Sequence, residues 1–334
     1  MKRFAPLLLA VPVLLAHLGL GEIVYSVDQE LRADSATPPP IEVSFVQEMK
    51  QTKLLSAPRA LPPHRVAALA PLQAQSAPEI ATIEPLDVTP PPEPAPVLAA
   101  AQDGEPGPEW PLSTRLDYTL TGNYRGEVTG TASVEWRREG AHYQVAMELS
   151  LGAIVSRSLT SDGRLGAHGI EPQRYDETTK VILMAPRRAT VNFGGTELTL
   201  ATGQTLPQPV GVQDTASQFV QMTWLFLTGR LPMQPGTVVD LPLALPRKLY
   251  AWRYTVKEQE LLHTPMGELW AWHLLPSHGG APIHGDLMAD VWLAPTLQYL
   301  PVRLLIRQDE QTYVDLMLAK PPVQAAAPQS PPSH

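Results

Sequence analysis

Cysteine is absent from the 334 residues. Its absence excludes thiolate nucleophiles, disulfides and cysteine-ligated zinc or iron–sulfur centres. The phosphate loop, the dinucleotide fingerprint, the Gly-x-Ser-x-Gly elbow and the His-Glu-x-x-His zinc pair are missing too. No catalysis and no cofactor are therefore expected. Positive charge is scarce, with 25 Lys and Arg against 33 Asp and Glu for a net charge of −8. The doublets Arg137–Arg138, Arg187–Arg188 and Arg247–Lys248 are too short for a nucleic-acid footprint. They read as solvated strand or loop charges, or as contacts to a lipid headgroup or a partner.

Proline is abundant, and its placement divides the chain. Of 37 prolines, Pro6 and Pro12 lie near the start, 17 fall between Pro38 and Pro111, five between Pro321 and Pro332, and only 13 between Leu112 and Lys320. The two proline-rich stretches have too little apolar periodicity to offset the entropy of ordering them. Residues 22–111 are thus expected to be a disordered spacer sampling polyproline II, and 321–334 a disordered tail. One island interrupts the spacer: in Ile41–Met49, Ile41, Val43 and Phe45 alternate with Glu42 and Ser44, as in a short strand or a docking peptide.

Ahead of the spacer, Lys2 and Arg3 precede an uncharged apolar run, Phe4–Gly21. Eighteen residues of helix rise about 27 Å, close to the hydrocarbon thickness of a bilayer. Residues 1–21 read as a membrane anchor or a signal peptide, with the basic end inside. Either way, the remainder is expected in the periplasm, as a single-pass inner-membrane protein if the segment is retained. An apolar segment followed by a proline-rich spacer is similar in layout to the TonB energy-transducing proteins. Those end in a small αβ domain, however, and this chain continues into a much larger β-rich one.

That domain, residues 112–320, has the period of two expected of strands. Leu116, Tyr118 and Leu120 alternate with Asp117 and Thr119, and Tyr143, Val145, Met147 and Leu149 with Gln144 and Glu148. Glu139–Gly140, Asp162–Gly163 and Gly194–Gly195 mark turns. Further strands are predicted at 181–184, 189–193, 197–201, 238–245, 250–262, 268–275, 287–293, 302–307 and 312–318. Successive strands with short turns predict an antiparallel meander. One segment departs from it: Asp214 can cap a helix over about 215–228, apolar on most sides and therefore buried, with Gly229 as its stop.

Four strings in this domain, Gly169–Thr179, Val212–Met222, His263–Trp272 and Val291–Ile306, resemble the bacterial domain-of-unknown-function family 3108 across about 114–320. The resemblance implies an envelope setting and a curved, half-barrel antiparallel sheet with a helix on its concave side, similar to periplasmic lipoprotein carriers. It implies no activity.

The aromatic residues supply the candidate site. Met222, Trp224, Phe226, Trp252, Trp270, Trp272 and Trp292 could line an apolar cavity on the concave face. Three readings follow: a domain that binds a lipid, another apolar ligand or a lipidated partner; a solid interaction module that contacts another envelope protein; and, as a minor alternative, a metal-dependent hydrolase. For the last, His278, His284 and Asp286 are the weak candidate ligands, with His263 and His273 nearby. A flexible Gly/Pro loop is the ordinary explanation of that stretch.

Overall fold

The computed structural model describes residues 38–51, 110–124, 126–278 and 288–326. The apolar run Phe4–Gly21, most of the proline-rich spacer and the end of the tail lie outside these. Among the described residues no helix is long and apolar enough to cross a membrane. The chain divides into two units, residues 1–42 and 43–334. In the first, residues 38–42 form no helix or strand; everything below concerns the second.

Two antiparallel meanders build one sheet. The first runs β2 (Thr114–Asn123), β3 (Glu127–Glu139), β4 (His142–Leu151), β5 (Val155–Gly166), β6 (Gly169–Val181), β7 (Arg187–Phe193), β8 (Glu197–Thr199) and β9 (Thr205–Pro207). The helix α1 (Ser217–Leu227) follows, and then the second: β10 (Val238–Leu245), β11 (Lys248–Thr264), β12 (Gly267–His278), β13 (Met288–Ala294), β14 (Leu300–Arg307) and β15 (Tyr313–Leu318). Pairing of β15 with β2 joins them, so the order is β10 through β15 and then β2 through β9. The spacer island contributes β1 (Phe45–Glu48), which pairs with β16 (Val323–Ala325); β16 pairs in turn with β2. Ordered structure therefore extends past Lys320 into residues expected to be a disordered tail.

The sheet curls around α1, which touches β6, β10 and β14, strands far apart in the sheet order. The connection from β9 to α1 stitches the two ends together. Gln213 bridges Leu243 in parallel, with Gln213 N donating to Pro242 O at 2.8 Å and Ala244 N to Gln213 O at 2.8 Å. Ala201 N donates to Pro246 O at 2.9 Å. The result is a barrel-like body with its apolar residues inward, among them Tyr118, Tyr143, Val145, Tyr175, Tyr254, Leu274, Val291 and Leu304. The outward positions form an ion-pair lattice: Arg115 with Asp117 and Glu135, Arg174 with Asp176, and Arg303 with Asp315. This is the alternation that a half-buried antiparallel sheet requires.

Two expectations are corrected. Residues 155–181, not assigned as paired strands from sequence, form the long hairpin β5–β6. The predicted strand at 181–184 is instead the tip between β6 and β7. Met184 N donates back to Val181 O at 3.0 Å, and Leu183 takes a left-handed φ of 61°.

Candidate functional site

Asp214 starts the helix, as its sequence position predicts. Its Oδ1 accepts the N–H groups of Ala216 and Ser217 at 2.9 and 2.8 Å, and its own N–H donates to Ser217 Oγ at 2.9 Å. This reciprocal bonding satisfies donors that an open helix end leaves orphaned. Its Oδ2 accepts from Ser161 Oγ of β5 at 2.5 Å, and Ser161 Oγ lies 2.9 Å from the Tyr143 hydroxyl of β4. All of these groups are buried. Desolvation is the largest influence on Asp214; the hydrogen bonds from Ser161, Ser217 and Ala216 oppose it only in part. Its pKa is pushed up from 3.8 to about 6. Burial likewise pushes the Tyr143, Tyr118 and Tyr254 hydroxyls up.

The polar side of α1 is fastened to the sheet at several further points. Gln221 Oε1 accepts from Ile170 N at 2.8 Å, and Gln221 Nε2 donates to His168 O at 3.1 Å. Tyr254 Oη donates to Gln218 Oε1 at 3.1 Å, and Thr223 Oγ1 to Tyr299 O at 3.0 Å. Gly169 is required where Gln221 docks: its φ is +114°, and a Cβ there would stand 2.2 Å from Gln221 Oε1.

Trp224 is buried on α1. Trp110, at the start of the folded domain, stacks on it with centroids 4.7 Å apart and planes 7° from parallel. Trp110 also lies 6.3 Å from Trp136. The Arg230 guanidinium covers the Trp224 ring at 4.3 Å. Met222 and Phe226 are equally buried, Phe226 against Tyr299 at 6.3 Å. Beside α1 lies an apolar crevice of about 30 Å³, bordered by Pro111, Leu116, Val134, Trp136, Phe219 and Pro301.

The seven candidate residues do not form one lining. Met222, Trp224, Phe226 and Trp252 are buried in the interior. Trp292 is buried on the opposite face of the sheet, because its strand neighbours Val291 and Leu293 take the inward positions. It stacks on His273 at 4.4 Å, lies beneath Arg303 at 4.6 Å and donates from Nε1 to Glu260 Oε2 at 2.8 Å. His273 continues this outer cluster, 3.1 Å from Glu260 and 3.4 Å from Asp290, and Asp290 also lies 2.8 Å from Arg307. Trp270 is 53% exposed, and Trp272 is half-buried against the core. A bulge in β11 between Val256 and Gln259 shifts its register against β12.

For the metal reading, His284, Asp286 and the His278 side chain lie outside the described residues. His263 is exposed beside Glu268 at 3.7 Å. Among the described residues no group of three His, Asp or Glu could hold a metal ion. A surface cleft of about 450 Å³ is one that sequence reasoning missed. It lies between the β5–β6 turn, the β7–β8 turn and the loop before α1, and His168, Glu171, Gln173 and Gln208 border it. No signal in the sequence joins those three turns. A smaller cleft of about 270 Å³ lies at the β10–β11 edge beside Trp252 and Arg253.

The family described as a protein of unknown function, DUF3108, matches residues 117–317, more than half of the chain. The chain belongs to the DUF3108 family. The match spans the sheet from β2 to β15, including α1 and the Asp214 network. Trp110 and the strands β1 and β16 fall outside it. No curated protein matches the chain. Among solved structures, the DUF3108 domain is similar to a beta-barrel-like protein of domain of unknown function DUF1849 from Brucella abortus. That likeness has 12% identity and a TM-score of 0.41, covering 64% of this chain and 98% of that one.

Proposed function

We propose that the DUF3108 domain is a non-enzymatic interaction module of the cell envelope, a solid body that works through its outer surface. The observation that carries this reading is the filling of the concavity. With Trp224, Met222 and Phe226 buried there, the remaining crevice of about 30 Å³ holds no more than a water molecule or so. Sites for drug-sized ligands need roughly ten times that volume or more. The apolar run Phe4–Gly21 and the spacer would hold the module at a distance from the inner membrane, in the periplasm.

A second reading, an apolar ligand or lipid chain bound beside α1, has one observation in its favour. Trp110, which closes the concavity over Trp224, comes from the end of the spacer and not from the sheet. Its departure would uncover Trp224 and Trp136, on which it stacks. Mass spectrometry of organic extracts distinguishes the two, using full-length protein made in a bacterial envelope and released without detergent. The solid-module reading predicts no lipid at stoichiometric level. One lipid per chain, lost on Trp224→Ala, would replace that reading with the second.

A further inference from the structure

Four exposed apolar residues gather at one place. Ile154, at the tip of β4–β5, is 61% exposed; at the tip of β6–β7, Ile182 is 55%, Leu183 99% and Met184 63% exposed. The two tips are tied together, with Ile182 N donating to Ile154 O at 2.9 Å and Val155 paired to Val181. Apolar side chains in water are common singly, but a contiguous group on a convex tip marks a contact surface. Leu183 also holds a φ of 61°, a region that Gly or Asn ordinarily fills at a turn. An apolar residue is thus kept where both solvation and backbone geometry disfavour it, a combination characteristic of functional segments.

The charge around the tips narrows the partner. The stretches Leu149–Arg157 and Thr178–Thr190 contain Arg157, Lys180, Arg187 and Arg188 and no acidic residue, in a chain of net charge −8. Arg157 is paired with Glu177 at 2.8 Å; Lys180, Arg187 and Arg188 are exposed just behind the apolar tip. Tyr124, 62% exposed in the adjoining β2–β3 turn, adds an amphipathic ring at the same end. Of the acidic residues described on that rim, Glu127 stands in the same β2–β3 turn, next to the β4–β5 tip, and Asp309 and Glu310 in the β14–β15 turn; the β6–β7 tip itself carries none.

From this arrangement we infer that the paired β4–β5 and β6–β7 tips dock the domain onto a bilayer surface rich in anionic phospholipid. Ile154, Ile182, Leu183 and Met184 enter the acyl boundary, and Lys180, Arg187 and Arg188 sit at the headgroups. A protein groove could accept the apolar wedge alone, but the basic collar matches a surface of uniform negative charge. The net negative remainder of the chain is repelled by the same surface, so the molecule approaches tip first. The inference deepens the module reading by naming one partner of the outer surface.

Because the chain has no cysteine, a single introduced thiol reports locally even while the N-terminal run holds the protein on a vesicle. Full-length Leu183→Cys and Ala167→Cys, the latter in the β5–β6 turn at the opposite end, are labelled with an environment-sensitive fluorophore. Each is mixed with vesicles of phosphatidylglycerol and phosphatidylcholine, or of phosphatidylcholine alone. A blue shift at position 183 on the anionic vesicles only, with none at 167, is expected. Adding Lys180→Gln and Arg187→Gln should weaken tip docking about 30-fold, at roughly a tenfold loss per 1.4 kcal/mol for two basic residues near the surface. No shift at 183, or equal shifts at 183 and 167, overturns the inference, and equal shifts on neutral vesicles overturn its anionic partner. A site-specific crosslink from 183 in intact cells that captures one protein and no lipid assigns the tip to a protein groove and overturns it too. The lipid extraction above reads the interior alone, so either conclusion can fail without the other.

Discussion

Trp224→Ala is expected to lower the stability of the domain by about 3–5 kcal/mol, the range for truncating a fully buried aromatic ring. The loss has two sources. The ring is 1% exposed, and its removal also takes away the surface on which Trp110 stacks at 4.7 Å. Trp270→Ala is the matched control. At 53% exposure it should change stability by no more than about 0.5 kcal/mol, as for surface positions generally. Urea unfolding followed by circular dichroism measures both, with an unchanged slope showing that the change is in stability and not in compactness. If Trp224 lined an open cavity, its truncation would cost no more than that of a half-exposed residue.

The second large effect is one of pH. Asp214 has its pKa raised by burial from 3.8 to about 6. For an acid with a raised folded-state pKa, the unfolded chain loses its proton first as pH rises. The contribution of Asp214 is therefore greatest below pH 3.8 and is lost as pH rises through about 6. The two values correspond to about 3 kcal/mol of stability lost between roughly pH 4 and 7. Asp117 works in the opposite sense: its carboxylate is held below the usual range by Arg115 and Lys320, although burial, the largest single influence, opposes them. The difference between the wild-type chain and Asp214→Asn isolates Asp214. The variant keeps an acceptor for the N–H groups of Ala216 and Ser217, and its stability should lack the wild-type decline across that window. Chemical denaturation at half-unit steps from pH 4 to 7.5 measures the difference. Parallel curves would mean that the Asp214 carboxyl is solvated.

Much of the sheet could be read from residue alternation, because β2, β3 and β4 bury one face and wet the other. The helix start was legible for the same kind of local reason: Asp214 and Ser217 have the spacing of reciprocal capping. Three features were not. In β5 the inward position Ser161 is polar because it serves Asp214, a partner 53 residues away, so the apolar period breaks where the network forms. In β11 the bulge between Val256 and Gln259 shifts the register against β12, which a simple alternation does not anticipate. At 181–184 an apolar run imitates a strand, yet Leu183 and its neighbours are exposed at a turn. Trp292 shows the converse, an apolar side chain buried outside the barrel beneath Arg303. Trp110 could not be placed from sequence at all, because a tryptophan in a proline-rich segment carries no periodicity.

The account depends on α1 being a permanent filling of the concavity and not a gate. Native-state hydrogen exchange of the full-length chain, followed residue by residue over Phe219–Phe226, tests this most directly. The bonds from Gln218, Gln221, Thr223 and Asp214 to the sheet predict that these amides exchange only through global unfolding, with the same free energy as the core amides of β4 and β6. Exchange of the α1 amides through a separate opening, several kcal/mol easier than that of the strands, would contradict the account and restore the concavity as a ligand site.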